Sequence, residues 1–365
     1  MILEIIIVIV FLFLFYGFEL FKSGIVLKLL SVLLGFIIFY VLLFYVTDNN
    51  DWESYTSIFN GYRQSRDFMF TLICDFFSSH GYDYSVVYQF HILLMGIVFI
   101  YFISRFTVKN VFTVISIYLL FQLIPLSNQI RYFIAFPFFL ISAYELLILN
   151  NKILFALFAL LSVLSHVGII LMYPFLIIYN HIDNENILKR LLIYSVLLSI
   201  IFYILYNIVL NVFGSFAFYF ESVMLSSISG GIFTSVILIV WIVYIYFRNK
   251  VLLITNQLEI EEDLKYQFLY KLSLYPMIFI PTGIIMQIVS HRYVEASIIV
   301  WVTFIMYSFK YNFEIKKRVL DLTIFLVLVV GSFLYIYILP EYLLGVSNVE
   351  AVMNLFRSNI LFNPK

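Results

Sequence analysis

The run Ser127-Asn128-Gln129-Ile130-Arg131 places two side-chain amides and an arginine between two long apolar stretches. A guanidinium presents a planar fork of donors that matches a phosphate, and Asn128, three residues before it, falls on the same face if one helix carries both. An arginine at that depth costs roughly 2.5–3.5 kcal/mol on insertion scales unless it meets a wet cavity or a partner. A diphosphate would supply the partner; snorkelling to lipid headgroups is the plainer alternative. Arg292, in Ser290-His291-Arg292-Tyr293, is a second anion-binding candidate, set against a simple pair with Glu295 three residues on. His166, in Ser165-His166-Val167-Gly168, suits a general acid or base, a phosphate donor, or a buried histidine bonded to a carbonyl. Asp48 and Asp51 follow an apolar run, where a carboxylate can take a proton from a sugar hydroxyl or simply sit in solvent. Arg63 and Arg66 balance Asp67 and Glu53. No His/Cys/carboxylate set has metal-ligand spacing, and neither a Gly-rich phosphate loop nor G-x-S-x-G occurs. No metal or cofactor is expected, and the single Cys74 excludes an intrachain disulfide.

The elements that position these residues belong to a bilayer. Of 365 residues 64% are hydrophobic, with 42 Phe and 29 Tyr, and only 12% are charged. A mean hydropathy of +1.06 leaves no way to solvate the surface of a soluble domain of this size. Net charge is zero, which gives no footprint for nucleic acid. Apolar runs near 2–21, 24–46, 86–104, 110–126, 130–149, 187–213, 231–248, 266–290, 292–309 and 319–340 are each of spanning length or close to it. The first lacks a basic leader and a small-residue cleavage site, and reads as a transmembrane helix. The fold class is therefore all-α: one polytopic helical membrane domain over 1–365, with about 10–12 transmembrane segments. No internal repeat is visible.

Segment 153–180 is irregular, with His166 and Gly168 at its middle and Pro174 beyond. Basic loops arbitrate between one crossing and two. If 153–180 enters and returns as a broken or re-entrant pair, only Arg63, Arg66, Arg131, Arg292, Arg357 and Lys365 of the 21 basic residues lie outside. Arginine dominates that outer set, as an anion site requires. Pro137, Pro276, Pro281 and Gly283 mark further breaks of the kind that line cavities.

Residues 47–85 form the largest outer loop. Trp52, Tyr55, Phe59 and Tyr62 make one helical stripe, so an interfacial helix is expected there. A second short helix is expected over 68–79. The outer loop 214–230 is rich in Ser and Gly, and the tail 341–365 reads as interfacial through Val349, Val352, Phe356 and Ile360.

Four motifs in order give the chain a resemblance. Thr47-Asp48-Asn49-Asn50-Asp51-Trp52-Glu53-Ser54-Tyr55 resembles the first outer-loop motif of the EpsG-like, Wzy-type polysaccharide polymerases. Asn128-Gln129-Ile130-Arg131-Tyr132-Phe133-Ile134-Ala135 is similar to their arginine motif, Leu164-Ser165-His166-Val167-Gly168 to their histidine motif, and His291-Arg292-Tyr293 to a later arginine-tyrosine motif. Together they cover roughly residues 45–300. Tyr132 stands where the family usually has Gln, and Arg66-Asp67 where an acidic Glu-Pro pair is common.

The resemblance implies a relative of the multi-helix glycosyltransferases with lipid-linked donors, working without a metal. It implies polymerisation of undecaprenyl-diphosphate-linked oligosaccharide units for capsule, exopolysaccharide or O-antigen, at the outer face of the bacterial cytoplasmic membrane. Asp51, Asp48 and His166 are then the candidate catalytic bases. Arg131, Arg292, Asn128, Gln129, Tyr55, Tyr293 and Arg66 are the candidates for diphosphate and sugar contacts. Partners would be the lipid-linked oligosaccharide, membrane lipids, a chain-length regulator and a flippase. A flippase or exporter of the same lipid, a ligase or acyltransferase, and a purely structural subunit are the alternatives. Transporters often show two related halves, and this chain shows none. The topology is testable by itself: cysteines at Asn186 and Asn312 should label only from the cytoplasmic side, and outer labelling at either contradicts the re-entrant pair.

Overall fold

The computed structural model describes residues 24–181, 186–212, 228–286, 289–312, 315–344 and 347–363. Helices make up nearly all of them, and the only pairing of extended backbone among them is an isolated antiparallel bridge between Val46 and Asn359. Seven helices among the described residues are long and apolar enough to cross a bilayer. They lie in Ile25–Leu43, Tyr84–Ser104, Val108–Asn128, Ile130–Leu147, Gly230–Glu262, Arg292–Tyr311 and Ile315–Tyr342. The expected span 2–21 and most of the outer loop 214–230 lie outside the described residues. Ile187–Val212 is a helix of 26 residues, at the place expected for a span. The expected span 266–290 is not continuous: it runs as Leu264–Leu274, a 3-10 stretch Tyr275–Phe279, and Ile280–Ile285, with Pro276 and Pro281 at the starts of the last two pieces. Ile228–Glu262 outruns the expected 231–248 and kinks at Asn256.

Contacts gather the chain into two units, one of residues 1–140, 164–167 and 306–365, the other of 141–163 and 168–305. In the first, Ile25–Leu43 packs on Tyr84–Ser104 and Val111–Asn128. Ser31 Oγ accepts from the Phe112 N–H, an orphan donor of a helix start, and Tyr40 donates to the Leu93 carbonyl at 2.6 Å. The outward face of the same helix keeps Ile25 and Val26 about three-quarters exposed, as a lipid-facing surface should. Asp83 caps Tyr84–Ser104 by accepting from Ser85 N–H. Phe68–Ser79 forms as expected. Trp52–Phe59 also forms, but its aromatic stripe goes elsewhere: Trp52 packs on Tyr84 and Tyr88, and Tyr55 is buried against Phe70 and Tyr84. Tyr62 lies past the helix end, 85% exposed. Trp52, Tyr55 and Phe59 of the stripe therefore pack against protein.

The second unit holds the broken segment 153–180 except for residues 164–167. Lys152–Ser165 ends at His166, a 3-10 stretch runs over Val167–Met172, and Pro174–His181 follows. Fourteen helical residues rise only about 21 Å, short of a ~30 Å hydrocarbon core. The chain then doubles back, because the Tyr173 hydroxyl reaches the Ala159 carbonyl at 3.4 Å, which a straight helix would leave about 20 Å away. Unpaired carbonyls in such a break need donors. Tyr293 donates to Gly168 at 2.7 Å, Tyr275 to Leu171 at 3.2 Å, and Lys271 to Tyr179 at 3.0 Å. Trp301, fully buried and stacked on Trp241, donates through Nε1 to Ser273 at 2.8 Å, beside Pro276.

Close helix approach in this unit depends on a missing side chain. A Cβ on Gly231 would lie 1.8 Å from the Ile284 carbonyl oxygen, whereas one on Gly331, in the other unit, meets nothing within 4 Å. Gly231→Ala should lower the thermal midpoint of the purified protein by several degrees, while Gly331→Ala leaves it unchanged or raises it. Equal midpoints for the two variants would contradict this packing.

Candidate functional site

Asp67 sits in the turn before Phe68–Ser79 and is 4% exposed. Burying a carboxylate is costly unless it is paired and hydrogen-bonded, and this one is both. Its Oδ2 accepts from Arg131 Nη1 at 2.8 Å and stands 3.2 Å from His166 Nδ1, and its Oδ1 accepts from the Val167 N–H at 3.3 Å. Arg131 Nη1 also donates to Ser65 Oγ at 3.0 Å, and Ser65 Oγ accepts from the Asp67 N–H at 3.1 Å. The guanidinium lies 5.0 Å from the Tyr55 ring centroid and 5.5 Å from that of Phe70. Tyr132 meets the His166 ring edge-on at 5.6 Å. One buried acid thus joins the loop 47–85, the arginine motif and the histidine motif.

Burial by itself pushes the Asp67 carboxyl up. The hydrogen bond and charge of His166, the Arg131 guanidinium and the Val167 N–H outweigh it, and hold the carboxyl below the usual carboxylate range. Its folded pKa is the lower one, so the ion contributes stability above the ordinary carboxylate value and loses it as pH falls through the folded value.

Arg131 and His166 are brought together, and Tyr55 braces the arginine. Asn128 and Arg131 do not share a helix, contrary to expectation. Val111–Asn128 ends at Asn128, Gln129 has non-helical φ −98 and ψ 49, and Ile130 opens the next helix. Gln129 closes the first helix, its N–H donating to Pro125 at 2.8 Å, and starts the second, its carbonyl accepting from Phe133 N–H at 3.0 Å. Asn128 is half-buried at the rim of a cavity that Asp48 also lines. Asp51 is the half-buried N-cap of Trp52–Phe59, and its N–H donates to Asn49 Oδ1 at 3.0 Å. Asn49 Nδ2 donates in turn to the Ser127 carbonyl at 3.0 Å, so the first motif is tied to the arginine motif. Arg66 is exposed. Arg292 and Tyr293 belong to the second unit, in the π-helical turn Ser290–Val294. Tyr293 is 5% exposed and stacks on Phe279, which makes it a brace for the broken segment. Among the described residues no group of three or more His, Cys, Asp and Glu could hold a metal.

Asp67 is the residue that motif reading missed. It is one of six acids in loop 47–85, and its type alone does not separate it from solvated neighbours. The signal was positional: Arg66-Asp67 keeps an acid in the pair where the resemblance has Glu-Pro.

The helices and this polar cluster define a polytopic membrane protein with a buried acid–arginine–histidine centre. Residues 32–345 match the EpsG family, and the chain belongs to that family, one of Wzy-like polysaccharide polymerases. No curated protein and no solved structure matches it significantly. Membership gives the chain a role of the polysaccharide-polymerase type, with glycosyltransferase-like chemistry.

Removing Asp67 would strand a partly buried guanidinium. Asp67→Ala should cost roughly 3 kcal/mol, at the low end for a broken buried pair because the Arg131 side chain is 25% exposed. Asp67→Asn should flatten part of the acid-side loss in thermal midpoint that the wild type shows. Unchanged midpoints in both variants would show that the carboxylate holds nothing.

Proposed function

We propose that the protein joins lipid-diphosphate-linked oligosaccharide repeat units at the outer face of the bacterial cytoplasmic membrane. The carrying observation is that Asp67 binds Arg131 and His166 at once. Polymerisation from such a donor needs a proton acceptor for the attacking hydroxyl and a fixed cation for the departing diphosphate. A carboxylate on His166 Nδ1 selects the tautomer with the proton there and puts the basic lone pair on Nε2. Among the three candidate bases this favours His166 over Asp51, a helix cap, and Asp48, an exposed cavity residue.

In this reading the acceptor hydroxyl oxygen bonds to the donor's anomeric carbon while the bond from that carbon to the diphosphate oxygen breaks. The hydroxyl proton passes to His166 Nε2, and the electron pair leaves with the lipid diphosphate. Arg131 stabilises that charge; its Nη1 is already oriented by Asp67 and Ser65, so little reorganisation is needed as the charge develops. Asp67 stays ionised throughout and acts as the positioning residue for both groups.

Deletion of the chain in its host should abolish the ladder of polymer lengths while single-unit products persist. Accumulation of units still facing the cytoplasm would instead indicate a flippase. In membranes carrying the protein, Arg131→Ala should lower the polymerisation rate about 100- to 1,000-fold, and Arg131→Lys should recover only part of it. His166→Ala should lower it about 100-fold or more and remove the acid limb of the pH–rate profile. Chain lengths untouched by Arg131→Ala and His166→Ala would refute the reading.

A further inference from the structure

A cavity of about 530 Å³ opens beside the arginine motif, within the first unit. Asp48, Asn49 and Asn50 form one side, Ser127 and Asn128 another, and the helix Asn348–Ser358 the third. That helix presents Ser347, Glu350, Ala351, Asn354, Leu355 and Ser358 to the cavity, the spacing of a single face. Its opposite face keeps Val349 and Met353 exposed, as an interfacial helix does against lipid.

The wall is firmly built. Ser347 caps the helix by accepting from Glu350 N–H at 3.2 Å. At its far end Ser358 Oγ donates to the Asp48 carbonyl at 2.8 Å, and Thr47 donates to the Ser358 carbonyl through both N–H and Oγ1. Asn359 Nδ2 donates to the Val41 carbonyl at 3.0 Å and is fully buried.

Beside the apolar Ile124, Ala351 and Leu355, the lining is amide, hydroxyl and carboxylate, with no Lys, Arg or His among the described residues that form it. Amides and hydroxyls both donate and accept, and carboxylates accept pairs of neighbouring hydroxyls, which is the pattern of a polyhydroxylated ring. Asp48 and Glu350 repel an anion, and no cation in the lining offsets them. The volume falls within the ~300–1,000 Å³ of small-molecule sites.

We propose that this cavity is a subsite for uncharged sugar residues of the growing glycan, with the C-terminal helix as its selective wall. The inference rests on the polymerase reading and adds the substrate's charge class and the residues that read it. Sugars carrying carboxylate or phosphate are excluded from it.

The test uses the full chain in lipid nanodiscs and saturation-transfer NMR. The probes are neutral oligosaccharides released from the host's own polymer by partial acid hydrolysis, and a galacturonic acid oligosaccharide. Wild type should show transfer to the neutral probe and not to the acidic one. The double variant Glu350→Ala/Asn354→Ala should weaken binding about 30-fold, at roughly 1 kcal/mol for each of two hydrogen bonds, while Met353→Ala on the opposite face keeps it. Glu350→Lys should gain binding of the acidic probe about fivefold, a result that misfolding cannot mimic. Equal signals in wild type and the double variant, no transfer in wild type, or wild-type binding of the acidic probe as strong as the neutral one would each overturn the subsite. Failure of the polymerase reading registers separately, as a polymer ladder that survives deletion of the chain.

Discussion

A guanidinium beside hydrocarbon needs a counter-charge, and the structure supplies it from a distant segment. Arg131 is satisfied by Asp67, some sixty residues earlier in the chain, and that single acid also reaches His166 and Val167 of the histidine motif. Once Asp67 is placed, the loop 47–85 is anchored to the helical bundle of its own unit. It is tied down between the start of Ile130–Leu147 and the break at His166. The aromatic floor under the arginine, Tyr55 and Phe70, follows from the same constraint, since the loop's two short helices must pack where their acid is held.

The irregular backbone obeys a parallel constraint. Chain that leaves the α-helical ladder within a membrane protein exposes carbonyls that lipid cannot satisfy. Here the break after His166 is served by Tyr275 and Tyr293, and the carbonyl of Ser273 by a buried tryptophan. The two tyrosines brace the 3-10 stretch that follows His166. Fixed backbone dipoles of this kind cost no reorganisation when charge moves beside them.

Much of the architecture was legible from periodicity and length. The helices near 24–46, 86–104, 110–126 and 130–149 lie close to where apolar runs place them, and the break at His166 follows from a histidine and a glycine interrupting a run too short to cross twice. Two failures share one cause. The stripe Trp52, Tyr55, Phe59, Tyr62 correctly announces a helix, but an apolar stripe in a membrane protein does not say whether lipid or protein covers it. Asp67 was likewise visible only as an acid in an acidic loop; its role depends on contacts across sixty and a hundred residues. Asn128 and Arg131 look like neighbours on one helix, and only the backbone at Gln129 separates them.

The central claim is that Asp67 makes Arg131 and His166 one functional unit. A mutant cycle on polymerisation rate in membranes tests it most directly, with Asp67→Asn, the pair Arg131→Lys/His166→Ala, and their combination. If the carboxylate acts through the arginine and the histidine, the combined variant should be no more than about twofold slower than Arg131→Lys/His166→Ala. Rate losses that multiply in the combined variant would contradict the account and return Asp67 to the role of a structural counter-ion.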